Sequence, residues 1–163
     1  MLADGSTKNM ENVLIGDHLL AISSSGKQTF SKFIGWLHKD KIVHQMFLEI
    51  FTAKGSIKLS SHHLIMRKTI EMGIDNKQDF SFAQDVSPGD FVYIVTKKNS
   101  NFNWQKVTAI KPWFGRGIFA PLTEEGTVVV DGMVASCYAE VSQILMLDSF
   151  LTYKQHILAE ISI

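Results

Sequence analysis

One pattern occurs twice in the 163 residues. Val13-Leu14-Ile15-Gly16-Asp17-His18-Leu19-Leu20-Ala21 is echoed 73 positions later by Val86-Ser87-Pro88-Gly89-Asp90-Phe91-Val92-Tyr93-Ile94. Each copy reads as a Gly-Asp turn launching a strand. Glycine takes turn dihedrals closed to residues with a Cβ, and aspartate hydrogen-bonds nearby backbone before the strand begins. Phe33-Ile34-Gly35-Trp36-Leu37 and Val107-Thr108-Ala109-Ile110-Lys111-Pro112-Trp113 follow the two copies as matching later strands. Two unrelated hairpins would show the same local pattern. A duplicated unit makes the stronger demand: two pseudo-symmetric β halves packed as one domain.

The rest of the chain reads mostly as strand. Val13–Ile15, His18–Ile22, Phe47–Phe51, Ile57–Leu59, Phe91–Thr96, Val107–Ile110, Gly126–Val130 and Ser136–Val141 are short, apolar or alternating, and rich in β-branched and aromatic residues. From Gln143 to Ile161 the spacing changes: Leu147, Phe150, Leu151, Lys154, Leu158 and Ile161 recur at helical intervals, predicting a short amphipathic C-terminal helix. The expected organisation is an all-β domain over 1–142 and a helical extension over 143–163.

Composition narrows the function. With 45% hydrophobic residues, 163 residues bury one core. Lys plus Arg equals Asp plus Glu at 16 each, and no basic run or aromatic-basic stripe stands out, so neither nucleic acid nor an anionic membrane is expected as partner. No apolar run nears the roughly 20 residues of a spanning helix, and Met1–Gly5 lacks the basic flank and apolar stretch of a signal peptide. A soluble chain without an export signal is therefore expected. Cys137 is the single cysteine, which excludes an internal disulfide. It is a packed thiol or a reactive one.

The stretch from Ala120-Pro121-Leu122-Thr123 to Ser136-Cys137-Tyr138-Ala139 resembles the corresponding block of Hedgehog-type Hint (Hog) autoprocessing domains. Asp4-Gly5-Ser6, Ile15-Gly16-Asp17 and Ser60-Ser61-His62-His63-Leu64 fall in that family's order and spacing, so the resemblance covers about Met1 to Ala139. It implies a Hint fold of two β subdomains related by a pseudo-twofold axis, in agreement with the repeat. It also implies an intein-like reaction in which an N-terminal cysteine attacks the preceding carbonyl and an outside nucleophile opens the thioester. In Hedgehog precursors that nucleophile is a sterol hydroxyl, a co-substrate; no cofactor or metal is implied. The partners implied are the domain's own N-terminal precursor segment and a sterol or membrane lipid met by the C-terminal segment. The setting implied is the secretory pathway or extracellular space of a signalling precursor.

By the same resemblance His63 polarises or protonates the scissile amide, a task suited to a group titrating near neutral pH. Ser60 stands where the family has threonine and keeps its oxygen. His62, adjacent on a strand, points to the opposite face; an inward His62 would overturn the assignment. Two departures stand out. The family's nucleophilic cysteine lies ahead of the segment matching Met1–Gly5, and these residues contain no substitute, so the chain by itself is expected not to cleave. Cys137 is either a buried small residue or a thiol assisting near the site. The second departure is at the acceptor step: an ungapped match puts His38 where the family has an aspartate acting as general base to the sterol. A gap would give Asp40 that role, and an exposed loop histidine is the plain alternative. Such divergence is similar to that of the Hedgehog-related proteins of nematodes.

Other functions fit less well. Splicing needs a terminal asparagine, and the chain ends Glu160-Ile161-Ser162-Ile163. A Ser60–His63–Asp90 hydrolase lacks a nucleophile elbow. A metal site from His18, His38, His44, His62, His63 and His156 would require a convergence in the fold that spacing alone does not show. The rival of a different class is a catalytically dead Hint scaffold that binds lipid or protein.

Overall fold

At both copies of the repeat the backbone does the same thing, bond for bond. The computed structural model describes residues 1–69, 79–96 and 101–139. Within them, single 3-10 turns at Met10–Asn12 and Ala83–Asp85 lead into Val13 and Val86. Each valine N–H donates to the carbonyl opening its turn, Met10 at 3.1 Å and Ala83 at 3.3 Å. The aspartate then folds back. Asp17 Oδ2 accepts the Leu14 N–H at 2.9 Å, and Asp90 Oδ2 accepts the Ser87 N–H at 2.8 Å. Gly16 and Gly89 sit between them at φ +94° and +105°, where a side chain would be strained.

The same turns fasten a distant strand. Gly16 N–H donates to the Phe33 carbonyl at 3.0 Å while Phe33 N–H donates to Asp17 at 2.7 Å. In the second copy Gly89 N–H donates to Val107 at 2.9 Å and Val107 N–H to Asp90 at 2.7 Å. The expected strand at Val13–Ile15 does not form, because the aspartate cap curls this segment into the turn. Val13 is buried there, while Leu14 and Ile15 are exposed.

Among the described residues nine strands result: β1 (His18–Ile22), β2 (Gln28–Thr52), β3 (Gly55–Leu59), β4 (His63–Lys68), β5 (Asp79–Phe82), β6 (Phe91–Thr96), β7 (Asn101–Thr123), β8 (Thr127–Val130) and β9 (Met133–Ala139). All pairings are antiparallel, in the order β1-β2-β7-β6-β4-β9-β8, with β3 on β2 and β5 on β4. The hairpins β1–β2 and β6–β7 are the two repeat units. β2 and β7 are far longer than the short runs read from the sequence, at 25 and 23 residues. They run on because each serves both halves, and they pair with each other from Phe33/Thr123 to Thr52/Val107. Four register irregularities let that ribbon bend; one spans Asp40 to His44, where Gly117 at φ +90° lies against the Asp40 carbonyl. The expected helix at 143–163, and so the boundary at 142, lies outside the described residues.

The repeat also organises the interior. Val13, Leu19 and Phe33 centre one core with Leu122, Val128 and Cys137. Their counterparts Val86, Val92 and Val107 centre another with Ile50, Ile57, Ile65, Ala83 and Ala135. A third cluster joins the halves: Leu20 and Ile22 of β1 pack on Met66 of β4, Val129 of β8 and Val134 of β9. The all-β architecture expected from the sequence is thus the observed one.

The two aspartates are not equally placed. Lys8 Nζ lies 2.6 Å from the partly exposed Asp17 carboxylate. Asp90 is buried, with Arg67 Nε 2.9 Å away; the distance makes an ion pair, although the Nε–H is not aimed at an acceptor. Removing Asp90 therefore leaves a half-buried guanidinium without its carboxylate and the Ser87 N–H without its acceptor. Asp90→Ala should cost about 3 kcal/mol and Asp17→Ala about 1 kcal/mol, both read from urea unfolding. Equal losses would contradict the asymmetry.

Candidate active site around His63

His63 is the first residue of β4, and a tight turn sets its direction. Its N–H donates to the Ser60 carbonyl at 3.0 Å, closing the turn Ser60-Ser61-His62-His63. His62 lies in that turn, ahead of the strand, and the two side chains part. His62 is exposed, its ring edge-on to Phe82 at 5.7 Å and 75°. His63 points inward, with Nε2 2.9 Å from the Ser136 carbonyl of β9. The contact falls where the β4–β9 register is irregular, between His63/Ala139 and Ile65/Ala135.

A carbonyl only accepts, so Nε2 carries the proton and Nδ1 keeps a lone pair. Burial holds the His63 pKa below its ordinary 6.5, while the bond to Ser136 acts in the opposite sense and is outweighed. The ring is accordingly neutral at pH 7, with one nitrogen committed to orientation and the other able to take up a proton.

Cys137 follows Ser136 and is fully buried. Its Sγ lies 3.5 Å from Thr123 Oγ1, whose own hydrogen goes to the Thr127 carbonyl at 2.9 Å. The thiol is therefore the donor to Thr123. Burial pushes its pKa up to about 11, against the smaller opposing effect of Thr123. The resting group is a thiol, not a thiolate. The sequence had singled out Cys137 and the box containing Thr123, but gave no sign that they touch. Threonine at 123 and 127 reads as ordinary strand content, and only the β7–β8 turn brings them together.

The other candidates are placed as follows. Ser60 is half-buried at the turn and anchors His63 through its carbonyl. His38 is exposed on β2 opposite Ala120 in β7. Asp40, two residues on, accepts the Ile42 and Val43 N–H groups at 2.9 and 3.1 Å, which hold its pKa low. Among the described residues no three His, Cys, Asp or Glu side chains converge as metal ligands.

A groove of about 1310 Å³ opens at the start of the chain, lined by Met1, Leu20, Ile94, Val130, Asp131 and Gly132 among others. None of Ser60, His63, His38 or Cys137 lines it. Its importance is what Met1 does there: Leu20 N–H donates to the Met1 carbonyl at 2.9 Å, and Leu2 bridges Leu19. Met1 is thus held as strand against β1.

The family model of the Hint module matches residues 1–162, and the chain belongs to that family. Within it, the chain is similar to Hedgehog proteins. It is 29% identical to the Sonic hedgehog protein of Xenopus laevis over 88% of this chain and 32% of that protein. It is 32% identical to the Tiggy-winkle hedgehog protein of Danio rerio over 85% of this chain and 33% of that protein. Warthog protein 1 of Caenorhabditis elegans is 23% identical over 94% of this chain and 30% of its own length. The chain spans about a third of the length of these relatives. In fold it is similar to a DnaB intein from Synechocystis, with TM-score 0.67 and 14% identity, covering 86% of this chain and 92% of that one. A DnaX mini intein from Spirulina platensis gives TM-score 0.65 and 16% identity, covering 83% and 92%.

Two measurements follow from this geometry. Because the folded state disfavours imidazolium, the unfolded chain takes up a proton at His63 first as pH falls. The His63 contribution therefore weakens stability as pH drops from about 6.5 towards the lowered folded value. His63→Gln should flatten that part of the stability profile; an unchanged slope would contradict neutral burial. Cys137 should react with a thiol reagent at pH 8 at least a hundredfold more slowly than in urea, by roughly its pKa shift and burial. Equal rates would contradict the buried thiol.

Proposed function

We propose that this Hint domain cuts the polypeptide chain ahead of it by an intramolecular N-to-S acyl shift, with His63 as proton carrier. The observation that carries the reading is the side-chain bond of His63: Nε2 is fixed on Ser136, leaving Nδ1 of a neutral ring as the group available for proton transfer. A thiol attacking the preceding carbonyl carbon must lose a proton, and the departing amide nitrogen must gain one. A neutral imidazole serves both needs. Its lowered pKa makes the imidazolium, once formed, a better acid towards the leaving nitrogen.

The attacking thiol has to be supplied by residues joined ahead of Met1, since Cys137 is buried and protonated. The bond of the Leu20 N–H to the Met1 carbonyl ties the residue they would join to β1. Ser60 supports the site by anchoring His63 and by offering a hydroxyl near the scissile bond. His38 accepts the proton of the nucleophile that opens the thioester, be it a sterol hydroxyl or another. The precursor passes through the secretory pathway. The chain from Met1 to Ile163 by itself cleaves nothing.

The test is a fusion carrying a reporter and a cysteine-led Hint N-terminal segment before Met1, treated with dithiothreitol, a sterol or hydroxylamine. Thiol-induced release should fall at least a hundredfold in His63→Ala and persist in Cys137→Ser. His38→Ala should slow sterol-dependent release while leaving dithiothreitol release intact. A folded fusion that releases no reporter under any nucleophile would reassign the domain to a binding scaffold.

A further inference from the structure

The carbonyl that takes the His63 ring belongs to a stretch of β9 that is out of step with β4. Between His63/Ala139 and Ile65/Ala135, two steps along β4 are set against four along β9. Such a bulge bends its strand and re-aims the groups beside it. Continued evenly from Ile65/Ala135, the ladder would set Leu64 against Ser136 and His62 against Tyr138. In an antiparallel ladder the backbone groups of successive residues point to opposite edges. Cys137 N–H donates to the Gly126 carbonyl at 2.8 Å, on the β8 side, so those of Ser136 and Tyr138 are directed towards β4.

Two side chains meet them there. His63 Nε2–H donates to the Ser136 carbonyl at 2.9 Å, and the Tyr138 N–H donates to Ser136 Oγ at 3.0 Å. Ser136 is 4% exposed, so its hydroxyl is shielded from water that could do the same work. Its oxygen takes the part an even ladder would give to the His62 carbonyl. The His63 ring takes the part of the Leu64 N–H.

We propose that Ser136 is the positioning residue of the His63 site: its hydroxyl, by accepting the Tyr138 N–H, holds β9 in the bulge that keeps the Ser136 carbonyl on the imidazole. The inference rests on His63 as the proton carrier of autoprocessing and adds what aims it. Without the hydroxyl, the Tyr138 N–H is best served by turning to the His62 carbonyl, and the same closure hands the Ser136 carbonyl to the Leu64 N–H. The imidazole then loses the acceptor that fixes its tautomer, and with it the direction of the Nδ1 lone pair. An ordinary core hydroxyl would cost stability on removal and leave the ring as it was.

The test reads the ring itself, in two-bond nitrogen–proton NMR spectra of the full chain at neutral pH, with the His63 signals assigned by their loss in His63→Gln. The native ring should show a protonated Nε2 and a bare Nδ1. In Ser136→Ala the two nitrogen signals should move towards each other as the tautomers mix; Ser136→Thr, which keeps the hydroxyl, should hold them apart. In the cysteine-led fusion, thiol-induced release should fall about tenfold in Ser136→Ala and return in Ser136→Thr. If circular dichroism shows Ser136→Ala unfolded, Ser136→Cys carries the comparison, since it keeps a side chain of similar size with a weaker acceptor. The proposal is overturned if the folded variant keeps the native ring signals, if the signals mix while release is unchanged, or if Ser136→Thr fails as Ser136→Ala does. A fusion with native Ser136 that releases no reporter would sink autoprocessing instead, and the ring signals would still decide whether Ser136 aims His63.

Discussion

The structure hangs on one small device used twice: an aspartate that hydrogen-bonds the backbone three residues behind it while its own backbone clamps a strand about sixteen residues ahead. The side-chain bond curls the chain and the following glycine-aspartate pair launches the hairpin. The main-chain pair Asp17–Phe33, or Asp90–Val107, then sets the register of that hairpin. Register decides which face each side chain occupies, so a slip of one residue would turn Leu19, Phe33, Val92 and Val107 out of their cores. The clamp is local in sequence, and its consequence is the packing of the whole domain.

Duplication leaves a geometrical problem that β2 and β7 solve. Each half needs a sheet with a covered face, and each hairpin alone leaves an edge open. Strands of 25 and 23 residues pass from one half to the other and pair along most of their length, so each closes its partner's sheet. The cost is a ribbon too long for one plane. Its irregularities at Gly35, Asp40 and Thr52 take up the bend, and around the one after Asp40 the large side chains Ile42, Met46 and Phe114 are exposed.

The site around His63 lies on the other side of this economy. There the β4–β9 pairing gives way, and the Ser136 carbonyl takes an imidazole N–H. Burial then fixes two protonation states in one place: a neutral imidazole at His63 and a protonated thiol at Cys137, one residue beyond its acceptor. Both effects come from desolvation, which disfavours the charged form whichever group bears it.

The sequence by itself determined the duplicated plan. Gly16-Asp17 and Gly89-Asp90 carry their geometry in their own dihedrals and hydrogen bonds. β1 and β6 were legible to the residue, because turn chemistry bounds them on one side. Tertiary structure alone decided what arises between segments far apart in the chain. The length of β2 and β7 was hidden by Gly35, Pro112, Gly115 and Pro121, which read locally as breaks and are tolerated at bends and close approaches of a paired ribbon. Val13–Ile15 read as strand, since apolar composition does not reveal a side-chain cap. The bond of His63 to Ser136 and the thiol of Cys137 against Thr123 each require separate stretches of chain to meet. Charge and proton affinity at such places depend on neighbours and burial, and those exist only once the chain has folded.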